Sequence, residues 1–232
     1  MIVSIHQPQY LPWLPYFMKI AESDVFIFLD SVDFQKNGLQ NRNQIKTTQG
    51  ALWLTVPVRQ SLGQKINEVQ IDNKIAWRKK HWSTIEQTYR KAGVFKVHAD
   101  DLEGVFSQEW SSLNELNIHL LTLMLRWLGI ERRTLRSSDM SGKGNGSELV
   151  LNLCLEAGAK QYISGTGGHN YLVEGQFKDA GIEIIYRSPQ LPTAYSQLHP
   201  QAGFINGLSA LDIILNCGNQ WRNHVPNGQS IA

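Results

Sequence analysis

Cysteine is nearly absent from this chain: two in 232 residues, Cys154 and Cys217, far apart in sequence. That excludes a disulfide framework and the paired spacings of a zinc site, and both residues read as reduced, buried thiols on helices. No stretch approaches the roughly 18 uninterrupted apolar residues of a membrane-spanning helix. Charge of one sign is also missing, since 22 basic against 20 acidic side chains leave a formal charge of +2. No concentrated basic face for nucleic acid follows from that balance. The local cluster Arg78-Lys79-Lys80-His81 spreads around more than half of a helix and reads as a solvated face. There is no basic region followed by an apolar core and a small-residue cleavage site, so no secretory signal is visible and the cytoplasm is the expected location. Internal repeats and low-complexity linkers are lacking too.

What the chain does contain is apolar mass, 42% of its residues with seven tryptophans, enough to bury a sizeable core. A single domain over residues 1–232 is expected, with a helical segment around 75–128. The first seventeen residues, MIVSIHQPQYLPWLPYF, run from a β-branched strand into a loop stiffened by Pro8, Pro12 and Pro15. Each proline fixes φ and removes a ladder donor, so the loop loses little entropy on binding. It presents His6, Gln7, Tyr10 and Trp13 as candidate binding groups.

Pro15 to Ser23 predicts a short helix and Val25 to Leu29 an apolar strand buried on both faces, ending in Asp30. Strand, loop, helix and strand make a βαβ unit. A second one follows: strand 161–164, loop 165–169, helix 170–180 and strand 182–186. The alternation predicts an α/β fold, a mostly parallel sheet flanked by helices in Rossmann-like layers, with ligands beyond the carboxyl ends of the strands. Between the units, Phe34 to Lys46 reads as a hairpin or loop turning at Asn37-Gly38, within a hairpin-containing insertion. Residues 51–58 and 66–71 are strand-like. A helix over 75–91 is expected to be capped by Asn73. Ser112 and Glu115 form a capping box for a helix to Leu128 that Gly129 ends. Thr134 to Ser137 reads as a weak strand, the glycine-rich 141–146 as a mobile connection, and 148–156 as a helix. In the tail, Tyr195, Gln197 and His199 lie on a loop before a helix capped by Ser209 and ended by Gly218. The last few residues read as a frayed terminus.

The segment YISGTGGHNY, residues 162–171, places Ser164, Gly165, Thr166, Gly167 and Gly168 between a strand and a helix, followed by His169 and Tyr171. Glycines there let backbone N–H groups approach an anion at a helix N-terminus. His6 and His169 both end strands. If those strands are neighbours, both imidazoles, Asp30 and Ser164 converge on one cleft fit for general acid and base work. Asn41 and Arg42, with Lys36, Asn43 and Lys46, are candidates to hold an anionic ligand. No spacing defends a metal site, and no particular cofactor is written in these residues.

Taken together, IHQPQYLPW, DVFIFLDSVDFQKN, NRNQIK, WLTVPV, YISGTGGHNYL and LSALDIILNCG resemble the WbqC-like protein family, in order and over nearly the whole chain. The family occurs among genes for bacterial O-antigen and related surface polysaccharides. Its members have been suggested to be glycine (aminoacyl) transferases acting on an amino sugar. One departure is Pro15, where such sequences often carry glycine, which stiffens the turn. The resemblance implies an acyl donor, an amino-sugar or nucleotide-sugar acceptor, and His6 or His169 as base. Two alternatives stay open: an ATP-dependent amide ligase of the nucleotidyltransferase kind, in which a histidine loop holds the triphosphate, and a non-catalytic protein that binds a sugar nucleotide or a partner.

Overall fold

The computed structural model describes residues 1–226, so the expectation of a frayed terminus lies outside the described residues. Its elements are β1 (Ile2–His6), α1 (Leu14–Ala21), β2 (Val25–Phe28), β3 (Arg42–Thr47), β4 (Gly50–Thr55), β5 (Val58–Arg59), β6 (Gln70–Ile71), α2 (Trp77–Tyr89), α3 (Phe95–Ser107), α4 (Leu113–Leu128), β7 (Arg133–Arg136), α5 (Gly146–Glu156), β8 (Gln161–Gly165), α6 (Glu174–Asp179), β9 (Glu183–Arg187) and α7 (Ala210–Cys217). Five strands form one sheet in the order β7-β2-β1-β8-β9, and every pairing is parallel. The chain therefore starts at the centre, builds outward through β2 and β7, then returns to add β8 and β9 on the other side. The reversal between β1 and β8 is the topological switch point, where open α/β sheets leave a crevice.

The apolar run Val25–Phe28 is buried throughout because successive side chains point to opposite faces and both faces are covered. Phe26 and Phe28 join the larger core with residues of α1, α2, α3, α4 and α7. Val25 and Ile27 join Val3, Ile5, Leu153 of α5 and Phe177 of α6 on the opposite face.

The insertion differs from expectation in register. The hairpin pairs Arg42–Thr47 with Gly50–Thr55 around residues 48–49. Asn37-Gly38 is a separate turn, with Asn37 at φ 64°. The strand expected over 51–58 ends at Thr55 because Pro57 interrupts it, and Val58–Arg59 pairs with Gln70–Ile71 instead. Ala76, not Asn73, stands at the N-cap of α2, and Asn73 accepts from the Trp77 indole and donates to the Trp110 carbonyl. The N-cap of α4 is as expected: Ser112 accepts from the Glu115 N–H, and Gly129 closes the helix at φ 63°. The reciprocal half of the box is missing, since the Glu115 carboxylate takes both terminal nitrogens of Arg136. The expected mobile connection is tied to α5, with Ser141 and Gly142 donating to Glu156. Residues 166–170 form a 3-10 turn, and the helix expected over 170–180 is only Glu174–Asp179. The glycine loop therefore does not open into an α-helix. Among the described residues no helix is long and apolar enough to cross a membrane.

Candidate functional site

The loop after β1 is held by the asparagine-rich segment that follows β2. Tyr10 N–H donates to the Leu39 carbonyl, Asn43 donates to the Leu11 carbonyl at 2.7 Å, and Gln40 donates to the Gln7 side chain at 2.7 Å. These bonds absorb the polar groups that the composition offered to a ligand. Asn41 is buried and donates to the Val56 carbonyl. Arg42 lies over Trp53 at 4.7 Å and donates to the Asn37 carbonyl. Lys46 is 2% exposed and close enough to the buried Asp212 of α7 to act on its carboxyl, so it meets no solvent-borne anion. Tyr10 is fully buried, its hydroxyl 2.8 Å from Nδ1 of His81. His81 therefore belongs to the core and not to a solvated basic face.

At the switch point, β1 and β8 are neighbours, and a cleft of about 190 Å³ opens between the carboxyl end of β1, α1, Gly165–Gly167 and the start of the segment after β9. His6, Trp13, Tyr16, Lys19, Glu22 and Arg187 are among its lining side chains. Every residue of α1 is buried except Lys19, which is half-buried, and the loss of water around its ammonium pulls it down to about 8 while it donates to the Ile5 carbonyl at 2.8 Å. Burial first, and the Lys19 charge second, lower His6 to about 4. Nδ1 of His6 lies 3.1 Å from the Gln7 carbonyl, and since a carbonyl only accepts, the neutral ring carries its proton there and leaves Nε2 as an acceptor. Tyr16 packs edge-on against this imidazole at 4.9 Å and donates to the same Gln7 carbonyl. Across the cleft Arg187 pairs with Glu22 at 2.9 Å. The cleft thus joins an unprotonated imidazole, a low-pKa lysine and the first N–H groups of the 166–170 turn, which a 3-10 turn leaves without helical partners.

Several expected site residues go elsewhere. His169 is exposed and stacks on Tyr186 with ring centroids 3.5 Å apart, its Nδ1 3.8 Å from Glu174. Because it sits near the end of the 166–170 turn, it is not among the residues that line the His6 cleft. Ser164 is buried and donates to the Gly165 carbonyl. A Cβ on Gly168 would fall 2.2 Å from the Ser164 hydroxyl, which explains that glycine as a packing requirement. Tyr171 is exposed outside the cleft, and Gln197 is turned inward to Tyr195 and the Ile205 backbone. Asp30 is fully buried with both oxygens occupied, by the Ser137 hydroxyl, the Ser138 N–H and hydroxyl, and the Asn114 amide. It is a buttress for the end of β7 and has no open lone pair to offer as a base. Lys19, Glu22 and Arg187 escape a motif-based reading. The signal for Lys19 is a solitary charge in an otherwise apolar helix, LPYFMKIA. Among the described residues no three His, Cys, Asp or Glu side chains cluster to hold a metal ion.

The WbqC-like protein family model matches residues 7–224, from the proline loop to the residues after α7. The chain belongs to the WbqC-like protein family. It is 36% identical over 219 residues to the uncharacterised protein Rv1507c of Mycobacterium tuberculosis, covering 93% of this chain and 94% of that protein. No solved structure matches. Membership covers both walls of the cleft, the loop after β1 and the turn after β8.

Proposed function

We propose that this WbqC-like protein forms an amide by transferring an activated acyl or aminoacyl group to the amine of an amino sugar in surface-polysaccharide synthesis, with the reacting atoms in the His6 cleft. The observation that carries the reading is a bare imidazole nitrogen beside a lysine of lowered pKa at the switch point of the sheet. The amine attacks the acyl carbonyl, the C–N bond forms, and the bond to the leaving group breaks with its electron pair. Nε2 of His6 takes the proton released by the amine, and its low pKa lets it pass that proton to the departing group. Lys19, cationic at neutral pH, and the backbone N–H groups of the 166–170 turn offset the negative charge on the tetrahedral intermediate. The 190 Å³ volume is below the range of about 300–1,000 Å³ for small-molecule pockets, so it suits a small acyl group whose carrier extends into solvent.

Incubation with aminoacyl donors and amino-sugar acceptors, followed by mass spectrometry, tests the reading. Amide product lost in His6→Ala supports it, and equal turnover in His6→Ala overturns it. The strand order favours one further reading. A histidine loop after the central strand of such a sheet also suits activation of a carboxylate by ATP, which would release AMP and pyrophosphate. Amide formation without ATP separates the two.

A further inference from the structure

A second cleft, of about 560 Å³, lies beyond the carboxyl ends of β1, β2 and β7, and the chemistry above leaves it unused. Its floor is the Asp30 network, which fixes Ser137 and Ser138. Ser31 is tied into the same network through the Ser137 hydroxyl. One wall is the 142–146 loop, anchored to α5 through Glu156 and through Asn152 on the Lys143 carbonyl. The opposite wall carries Lys65, which is neutralised by Asp33 at 2.6 Å, and Asn67.

The lining separates ligand classes. The Gln35, Asn67 and Asn145 amides both donate and accept, Gln7 keeps its amide N–H groups while its oxygen takes Gln40, and the Ser31 and Ser138 hydroxyls, their protons given to Ser137 and Asp30, accept; a sugar hydroxyl can meet each of these. A nucleobase calls for a stacking ring, and the lining contains none; of its two lysines Lys65 is paired with Asp33, and Lys143, exposed on the glycine-rich loop, is the cation that phosphate would compete for. Val32 and Leu149 supply a small apolar patch for the C–H face of a ring. The volume falls within the range for a small-molecule pocket, about 300–1,000 Å³. The two clefts are reached by consecutive residues, His6 lining the first and Gln7 the second, and the Gln7 carbonyl receives both the His6 ring and the Tyr16 hydroxyl. We propose that this second cleft binds a hexopyranose, the acceptor sugar of the amide-forming reaction, through its amide and hydroxyl lining. Its role as acceptor rests on the transferase reading; the binding itself does not.

Saturation-transfer NMR on the full chain with D-glucosamine and D-glucose tests it. Inorganic phosphate serves as competitor and Lys178→Ala on α6 as control. Transfer to the sugar ring protons is expected, with Kd raised about fivefold by Gln35→Ala and again by Asn67→Ala, one hydrogen bond each. Lys178→Ala leaves it unchanged. Absence of transfer overturns the proposal, as does equal binding in both lining variants or displacement of the sugar by phosphate. If the double variant fails to fold, the single variants give the same reading. Hexose binding with no amide product overturns the transferase reading alone. Amide product on a simple amine with no hexose binding overturns the sugar cleft alone.

Discussion

His6 ends one strand and His169 follows the parallel strand beside it, and their surroundings make them different groups. His6 is the last residue of β1, roofed by α1 and beside Lys19, so burial keeps it neutral down to about pH 4. His169 comes four residues beyond β8, in a 3-10 turn that turns it outward onto Tyr186. Position relative to a strand end does not decide whether a histidine enters a crevice; the element packed over it does. On this comparison His6 is the residue we propose as the base, and His169 is a stacking residue on Tyr186.

The comparison can be broken most sharply by turnover. His6→Ala is expected to lower kcat/KM by about 10²- to 10⁴-fold, the range for loss of a general base. Lys19→Met should cost about 10²-fold and abolish the alkaline limb of the pH–rate profile, which is expected near pH 8 where Lys19 loses its charge. Asp30→Ala should act on stability first. It strands two serine hydroxyls, one N–H and one amide, at a cost of about 3 kcal/mol read by urea unfolding.

Stability against pH sharpens the same contrast. Between pH 6.5 and about 4 the unfolded chain binds protons at His6 and His81 that the folded chain refuses, so stability falls as pH drops through that window. For Lys19 the unfolded chain keeps a proton that the folded chain has lost between about pH 8 and 10.5, so stability rises with pH there. Lys19→Met should flatten that rise. The smallest effect belongs to His169→Ala, an exposed stacking partner worth about 0.5–1.5 kcal/mol, with turnover changed only severalfold.

The sheet was legible in the sequence where both faces are covered, because VFIF and IVSI are short β-branched and aromatic runs that suit a strand buried on both sides. Helix α4 was legible from its ends, Ser112 and Gly129. Helix α3 went unseen as a separate element: Phe95, Leu102, Val105 and Phe106 repeat at helical spacing, but Val97 is exposed and Gly104 weakens the pattern. The hairpin turn at residues 48–49 lacks the Asn-Gly signal that Asn37-Gly38 carries without being the hairpin turn. Within the site, His6, Trp13 and Gly165–Gly167 were legible because proline and glycine mark rigid or close-approach loops. Asn41 and Gln197 misled because a buried amide and a ligand-binding amide look the same in a sequence; only the Val56 and Ile205 backbone partners distinguish them. Lys19 was hidden because a single lysine in an apolar helix carries no motif.

The central claim concerns the state of the His6 imidazole, and a histidine-resolved NMR pH titration of the intact chain tests it most directly. His6 is expected to titrate near 4 and to move upward in Lys19→Met, which removes the second cause of its shift and leaves burial, the larger one, in place. His6 titrating near 6.5 and unmoved by Lys19→Met would contradict the account.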